Sequence, residues 1–288
     1  MYLIQVGHWG RLWPLLRAAA IALYEDGCLG IAKGAAYSGL LSFFPILTTL
    51  ASILVQARAE DVSRTIARLL YDVVPPGSED VVRMLFVVHG QRPKALLIGA
   101  TALAFWAASG ALMSLMEGFR AVYKIPDSRA FLKERGIALL LVFTSALPVL
   151  GASALIVFGK RGERDVVEWL HLFHEGDELR GWVLLVGQAL RFVLASGSIA
   201  IAMAFIYHFG PSRKQAFRQV FPGAVLATFL WLLATLVFGW YVSYVSNYNV
   251  LYGSVGAGLA LLVWMYVLSV IVLFGCEFNA EREKLSVK

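Results

Sequence analysis

Six long apolar runs limit what this chain can fold into more than any other feature. They cover roughly residues 35–55, 95–116, 136–158, 182–207, 220–245 and 255–278. Crossing a hydrocarbon core of about 30 Å takes about 20 helical residues, and each run reaches that length. In lipid no backbone N–H or C=O can be left to water, so such runs cross as helices. Charged residues make up 15% of the 288-residue chain, well below the roughly 25% of soluble domains. The reading is an all-α, polytopic membrane protein: one integral membrane domain over residues 1–288 with six transmembrane helices. Six such runs in this length argue against a soluble protein with buried core helices.

Charge sets the expected orientation. No basic stretch precedes an apolar core in the first ten residues, so no cleavable signal peptide is expected and the first run serves as the insertion signal. The N-terminal arm, the second and fourth loops and the C-terminal tail together carry 14 Lys and Arg, against 10 in the other three loops. The positive-inside rule then places both termini in the cytoplasm. Arg120, Lys124 and Arg135, and Arg213, Lys214 and Arg218, would sit just inside the membrane. There they would meet anionic lipid head groups, at about 1 kcal/mol per basic residue. The lipid bilayer is the expected partner. The net charge of +6 is thus a membrane-surface signal, and no motif for nucleic-acid binding accompanies it. Association into a homo-oligomer stays open.

Helices are expected outside the spans as well. Residues 12–30 read as an N-terminal interfacial helix, with Trp9 and Trp13 around Arg11 as anchors and breaks at Glu25-Asp26-Gly27 and Gly30. In the first outer loop, Val62, Ile66, Leu69, Leu70 and Val73 recur at helical spacing. Pro75-Pro76-Gly77 then turns the chain, and Ser78 with Glu79 and Asp80 starts a second short helix. The third loop, 159–181, reads as a further amphipathic surface helix.

The candidate site follows from polarity inside the spans. Arg191 lies in the fourth run, about 13 Å of helix from its outer end. Charges in hydrocarbon are costly and mark function by default. Glu117 and Glu277 lie at the cytoplasmic ends of their spans, so neither reaches Arg191. Gln188, Arg191, Ala195, Ser198 and Ala202 share one helix face. In the first span Ser38, Ser42, Pro45, Thr49, Ser52 and Gln56 form a similar stripe. Pro45 frees a backbone carbonyl there. Such stripes have two readings: close helix packing, or the wall of a partly hydrated path with spans one and four facing each other. Glu277 and Asn279 form a second candidate, a polar site at the cytoplasmic end of span six. Tyr241, Tyr244, Tyr248 and Tyr252 read as an aromatic belt.

Reaction chemistry is not legible. His171 and His174, beside Glu175 and Asp177, fit an amphipathic loop as well as a metal site. No zinc-hydrolase, serine-hydrolase or nucleotide-binding motif occurs. Cys28 and Cys276 have no metal-type spacing and read as packing residues. No cofactor is expected, and the chain reads as a non-enzyme.

Five segments carry a resemblance. Gly34-Ala-Ala-Tyr-Ser-Gly-Leu-Leu-Ser-Phe-Phe-Pro45 resembles the first-span signature of the YihY/BrkB family, Ala-Tyr followed by Ser-x-x-Pro. Tyr207-His-Phe-Gly-Pro211, Phe221-Pro-Gly-Ala224, Tyr252-Gly-Ser-Val-Gly256 and Gly275-Cys-Glu-Phe-Asn-Ala-Glu281 follow the order and spacing of that family. Arg191 falls where the family has an arginine. The resemblance runs from about residue 12 to 283 and implies a bacterial inner-membrane protein with six helices. An older family label, ribonuclease BN, implies RNA cleavage, but no general acid–base pair or ligand set for it stands here. After span two, where the family commonly reads Ala-Leu-Asn, this chain has Gly118-Phe119-Arg120. The expected function is transporter-like, lipid- or anion-handling work in the cell envelope. The alternative is a structural or scaffolding membrane protein.

Overall fold

A computed structural model of the chain describes residues 8–56, 94–126, 129–148, 151, 178–244 and 248–287. Among these residues it forms helices and no strand. They are α1 (His8–Glu25), α2 (Cys28–Gln56), α3 (Lys94–Val122), α4 (131–148), α5 (Glu178–Phe209), α6 (Phe217–Tyr244) and α7 (Tyr248–Val287). Five of them contain stretches long and apolar enough to cross a membrane: Cys28–Thr49, Leu97–Val122, Leu185–Phe209, Phe217–Tyr241 and Gly258–Leu285. The expected third span, 136–158, is described as helix to residue 148; Lys133, Glu134 and Arg135 near the start of α4 make that piece too charged to qualify alone. The expected hairpin of the first outer loop, the histidine pair and most of the third loop lie outside the described residues. The last four residues of that loop already belong to α5.

Two turns show how local sequence sets the ends. Between α1 and α2 only Asp26 and Gly27 intervene, and Gly27 takes φ +69°, open to glycine without the Cβ clash. The expected break at Glu25-Asp26-Gly27 is there. Gly30 instead lies inside α2, and α2 starts ahead of residue 35 because Cys28 and Ala32 are already core residues. The C-terminus of α3 closes with Lys124 at φ 52°. Ile125 N donates to Arg120 O at 3.0 Å and Lys124 N to Ala121 O at 3.1 Å, the paired bonds of a left-handed helix cap.

The helices alternate in direction, so α2, α4 and α6 begin where α3, α5 and α7 finish. The main buried cluster draws on α2 to α7 near this end, with Leu23 from α1: Cys28 and Ala32, Met116 and Phe119, Ala138 and Leu141, Ala204 and Tyr207, Val220 and Ala224, Leu273 and Cys276. α2 packs most extensively on α3 and also on α7; α6 packs between α5 and α7. α1 lies on α7 through Leu15, Ala19 and Phe278. Many large apolar side chains point outward, among them Leu236, Phe229, Val263 and Trp106. In a membrane these are the lipid-facing surface, so their exposure to water is not a cost.

Candidate functional site

The serine stripe of α2 runs into the seam with α3. A methyl group added at Gly110 would sit 3.8 Å from Ser38 Oγ, and one at Gly34 3.8 Å from Ser114 Oγ. Small residues on both sides let these backbones approach. Ser42 is buried and donates to Gly39 O at 2.7 Å, within its own helix. Pro45 and Thr49 are half-buried, and Ser52 lies in the last part of α2. On α5, Ser198 is half-buried and donates to Leu194 O at 2.9 Å, while Gln188 is exposed. Arg191 is half-buried and has an interaction partner. The two stripes share no extensive interface among the described residues, since α2 packs on α3 and α7 and α5 packs on α6.

A charge that sequence reading placed at the membrane surface reaches deeper. Arg135 lays its guanidinium over the Trp106 ring at 4.0 Å, donates to Trp106 O at 2.9 Å and touches Met113 Sδ at 3.1 Å. Trp106 precedes the end of α3 by about 24 Å of helix. A methyl at Gly110 would lie 3.9 Å from Arg135 Nη1, so the guanidinium borders the same glycine as Ser38. The neighbouring acid, Glu134, is buried and pairs with Arg120. Successive residues point about 100° apart on a helix, so committing Glu134 to Arg120 turns Arg135 along another flank of α3. Hydropathy holds no trace of that choice.

The other basic residues of this end are also clamps. Arg129 donates to Gly210 O at 3.3 Å and Pro211 O at 2.8 Å, closing the carbonyl end of α5 where the helix dipole is negative. Burial lowers its ordinary affinity for a proton, partly offset by Glu134. Arg213 holds both carboxylate oxygens of Glu283 at 2.6 Å and lies over the Tyr123 ring at 4.4 Å. Burial, and then the nearby Cys276 thiol, push the Tyr123 phenol well above its usual range, with Arg213 opposing. Lys124, Lys133, Lys214 and Arg218 are exposed, and Lys124 also pairs with Asp26 at 3.4 Å.

Three of the C-terminal motif segments, Tyr207–Pro211, Phe221–Ala224 and Gly275–Glu281, come together at one node. Gly223 of α6 and Gly275 of α7 meet face to face: a methyl at Gly223 would fall 2.2 Å from Gly275 O, and one at Gly275 2.4 Å from Tyr207 Oη. Tyr207 is fully buried, donates to Val272 O at 2.7 Å and stands edge-on to Phe119 at 5.7 Å. Gly210 lies against the same Phe119 ring. Asn279 is buried and divides its amide between two backbone groups of α6. Gly223 N donates to its Oδ1 at 2.8 Å, and its Nδ2 donates to Val220 O at 2.9 Å. Those contacts surround Pro222, whose missing N–H interrupts the ladder of α6. Asn279 is therefore a clamp rather than a free polar group.

Glu277 is different. It is fully buried, its Oε1 accepts from the Cys28 thiol at 3.7 Å, and its Oε2 has no hydrogen-bond partner among the described residues. The sequence pointed to Glu277 and Asn279 by polarity and position; nothing in it marked Cys28 as the neighbour of the first or Gly223 and Val220 as those of the second. At the departure site, Gly118 abuts Leu273, Phe119 is buried against Tyr207, and Arg120 is held by Glu134.

The chain is 28% identical over 261 residues to a ribonuclease-like protein, YfkH, of Bacillus subtilis, covering 87% of this chain and 89% of that protein. It is 27% identical to a UPF0761 membrane protein of Alkalilimnicola ehrlichii over 91% of this chain and 57% of that longer protein. A UPF0761 membrane protein of Vibrio campbellii is 27% identical over 87% of this chain and 77% of its own length. No solved structure matches. The family profile described as virulence factor BrkB matches residues 20–287, from within α1 to the last residue of α7. With five apolar helices among the described residues and three of its motif segments gathered where they cross, the chain is an integral membrane protein and belongs to the virulence factor BrkB family.

Proposed function

We propose that this chain is a transporter-like protein of the bacterial inner membrane that handles an anionic lipid or a small anion, with both termini in the cytoplasm. The observation that carries the reading is the Arg135 guanidinium. It sits far down α3 against Trp106, at the glycine that Ser38 also borders, with no carboxylate among its contacts to the described residues. A cation at that depth is expensive unless a negative group or water shares the space. Arg191, half-buried in a span, adds a second positive charge. On this reading Ser38, Ser42, Pro45, Thr49 and Ser52 line one wall of the path and Gln188, Arg191 and Ser198 another. Exposed Lys214 and Arg218 hold head groups at the cytoplasmic face. No catalysis is assigned, and the ribonuclease-like name stays with YfkH.

The structural alternative has its own support: the close approach at Gly34 and Gly110, and serine hydroxyls satisfied inside their own helices. Reconstitution separates the two readings. Liposomes carrying the full chain are assayed for transbilayer movement of a labelled anionic phospholipid and for chloride flux. The expected result is activity in the wild type that falls at least tenfold in Arg191→Ala and Ser42→Leu. Inert wild-type protein, or flux that neither substitution changes, refutes the transport reading.

A further inference from the structure

We propose that Glu277 is a proton-binding site: a carboxyl that carries its proton at neutral pH inside the seam of α2 and α7. Such a site follows from the geometry around Glu277 whether or not the chain moves a substrate. Glu277 has no exposed surface and lies within the apolar stretch Gly258–Leu285. One carboxyl oxygen receives only a thiol, which is a weak donor, and the other receives nothing among the described residues. An ionised carboxylate in such a place needs a cation or several strong donors.

Among the described side chains, the basic groups on the surrounding elements are paired, exposed or turned away. From the α3 end, Lys124 faces Asp26 at 3.4 Å, and Arg120 is held by Glu134. From the α5–α6 link, Arg213 is held by Glu283. On α7 itself, Lys284 is bound to Glu281 at 2.5 Å, and Arg282 lies about 140° around the helix from Glu277. Lys33 of α2, Arg17 of α1 and Arg218 of α6 are exposed. The acidic neighbour Asp26 opposes a second negative charge, and the Cys28 thiol offers that charge only one weak donor. A neutral carboxyl costs far less in this setting than an ionised one: its carbonyl oxygen accepts from Cys28, and its bare oxygen carries the proton instead of a charge.

Infrared spectroscopy reads the state directly. The full chain, purified and reconstituted, is titrated between acidic and alkaline pH while the carbonyl stretch of protonated carboxylic acids is followed. The wild type is expected to show such a band at neutral pH, absent in Glu277→Gln and retained in Glu281→Gln. Cys28→Ala, a mild change in a small site, is expected to move the band because it removes the thiol bond; this variant decides the matter if Glu277→Gln does not fold. Absence of the band at neutral pH, its persistence in Glu277→Gln, or an unmoved band in Cys28→Ala overturns the proposal. Loss of the band on adding sodium or potassium ions at constant pH also overturns it, because the site would then hold a metal cation.

Discussion

Asn279→Ala is expected to loosen the α6–α7 contact by about 2–4 kcal/mol. The wild-type amide makes two bonds to backbone in a buried setting, at 2.8 and 2.9 Å. A buried backbone group stripped of its partner costs about 1–3 kcal/mol, and two such groups set the upper range. The helix ladder of α6 can retain some of the lost bonding, which sets the lower end. At about 1.4 kcal/mol per decade, that is roughly a 30- to 1,000-fold shift in the unfolding equilibrium. Asn279→Asp sharpens the test. It keeps an acceptor for Gly223 N but sets a carboxylate against Val220 O, so it is expected to be no better than alanine. Unfolding of the purified protein in mixed micelles with rising dodecyl sulfate, followed by tryptophan fluorescence, gives both values. If Asn279→Ala stays within about 0.5 kcal/mol of wild type, or Asn279→Asp matches wild type, the clamp is wrong.

Gly223→Ala is expected to cost about 1–3 kcal/mol or more, since its new methyl meets the Gly275 carbonyl, whereas Gly118→Ala meets only the end of the Leu273 side chain and costs less; the same unfolding assay ranks the pair. Glu134→Ala, which leaves Arg120 without its acid, is expected to destabilise by about 3–5 kcal/mol, and the exchange of Arg120→Glu with Glu134→Arg to recover part of it; no recovery in the double variant would count against the pair. Tyr123 binds its proton more tightly folded than unfolded, so its contribution is intact below the unfolded value near 10 and is lost as pH rises through the folded value; an alkaline absorbance titration is expected to lose a late component in Tyr123→Phe.

Class and element placement were legible because they rest on a local property. Hydropathy along a run of about 20 residues answers to the membrane whatever else the chain does. Hence the first, second, fourth and sixth runs each fall inside a long helix, the fifth does so through residue 244, and the Asp26-Gly27 turn stands where acidic residues and glycine marked it. Gly30 misled because one glycine costs a helix only about 1 kcal/mol, and its neighbours Leu29, Ile31 and Ala32 hold α2 in the core. The candidate residues were legible as polar groups in apolar surroundings, but their roles were not. Asn279 and Glu277, two residues apart, have opposite fates, one with its amide consumed by α6 and the other with a bare oxygen.

The sequence alone determined that this is a helical membrane protein and which residues within it are costly to bury. Tertiary structure decided what each of those residues does. The thiol on Glu277 comes from 249 positions away, the amide of Asn279 closes on a helix 56 and 59 positions back, and Arg135 turns down α3 only because Glu134 is taken. Partnerships of that kind depend on how separate helices cross, and crossing geometry is set by the packing of small residues such as Gly223 and Gly275, not by the run that contains them.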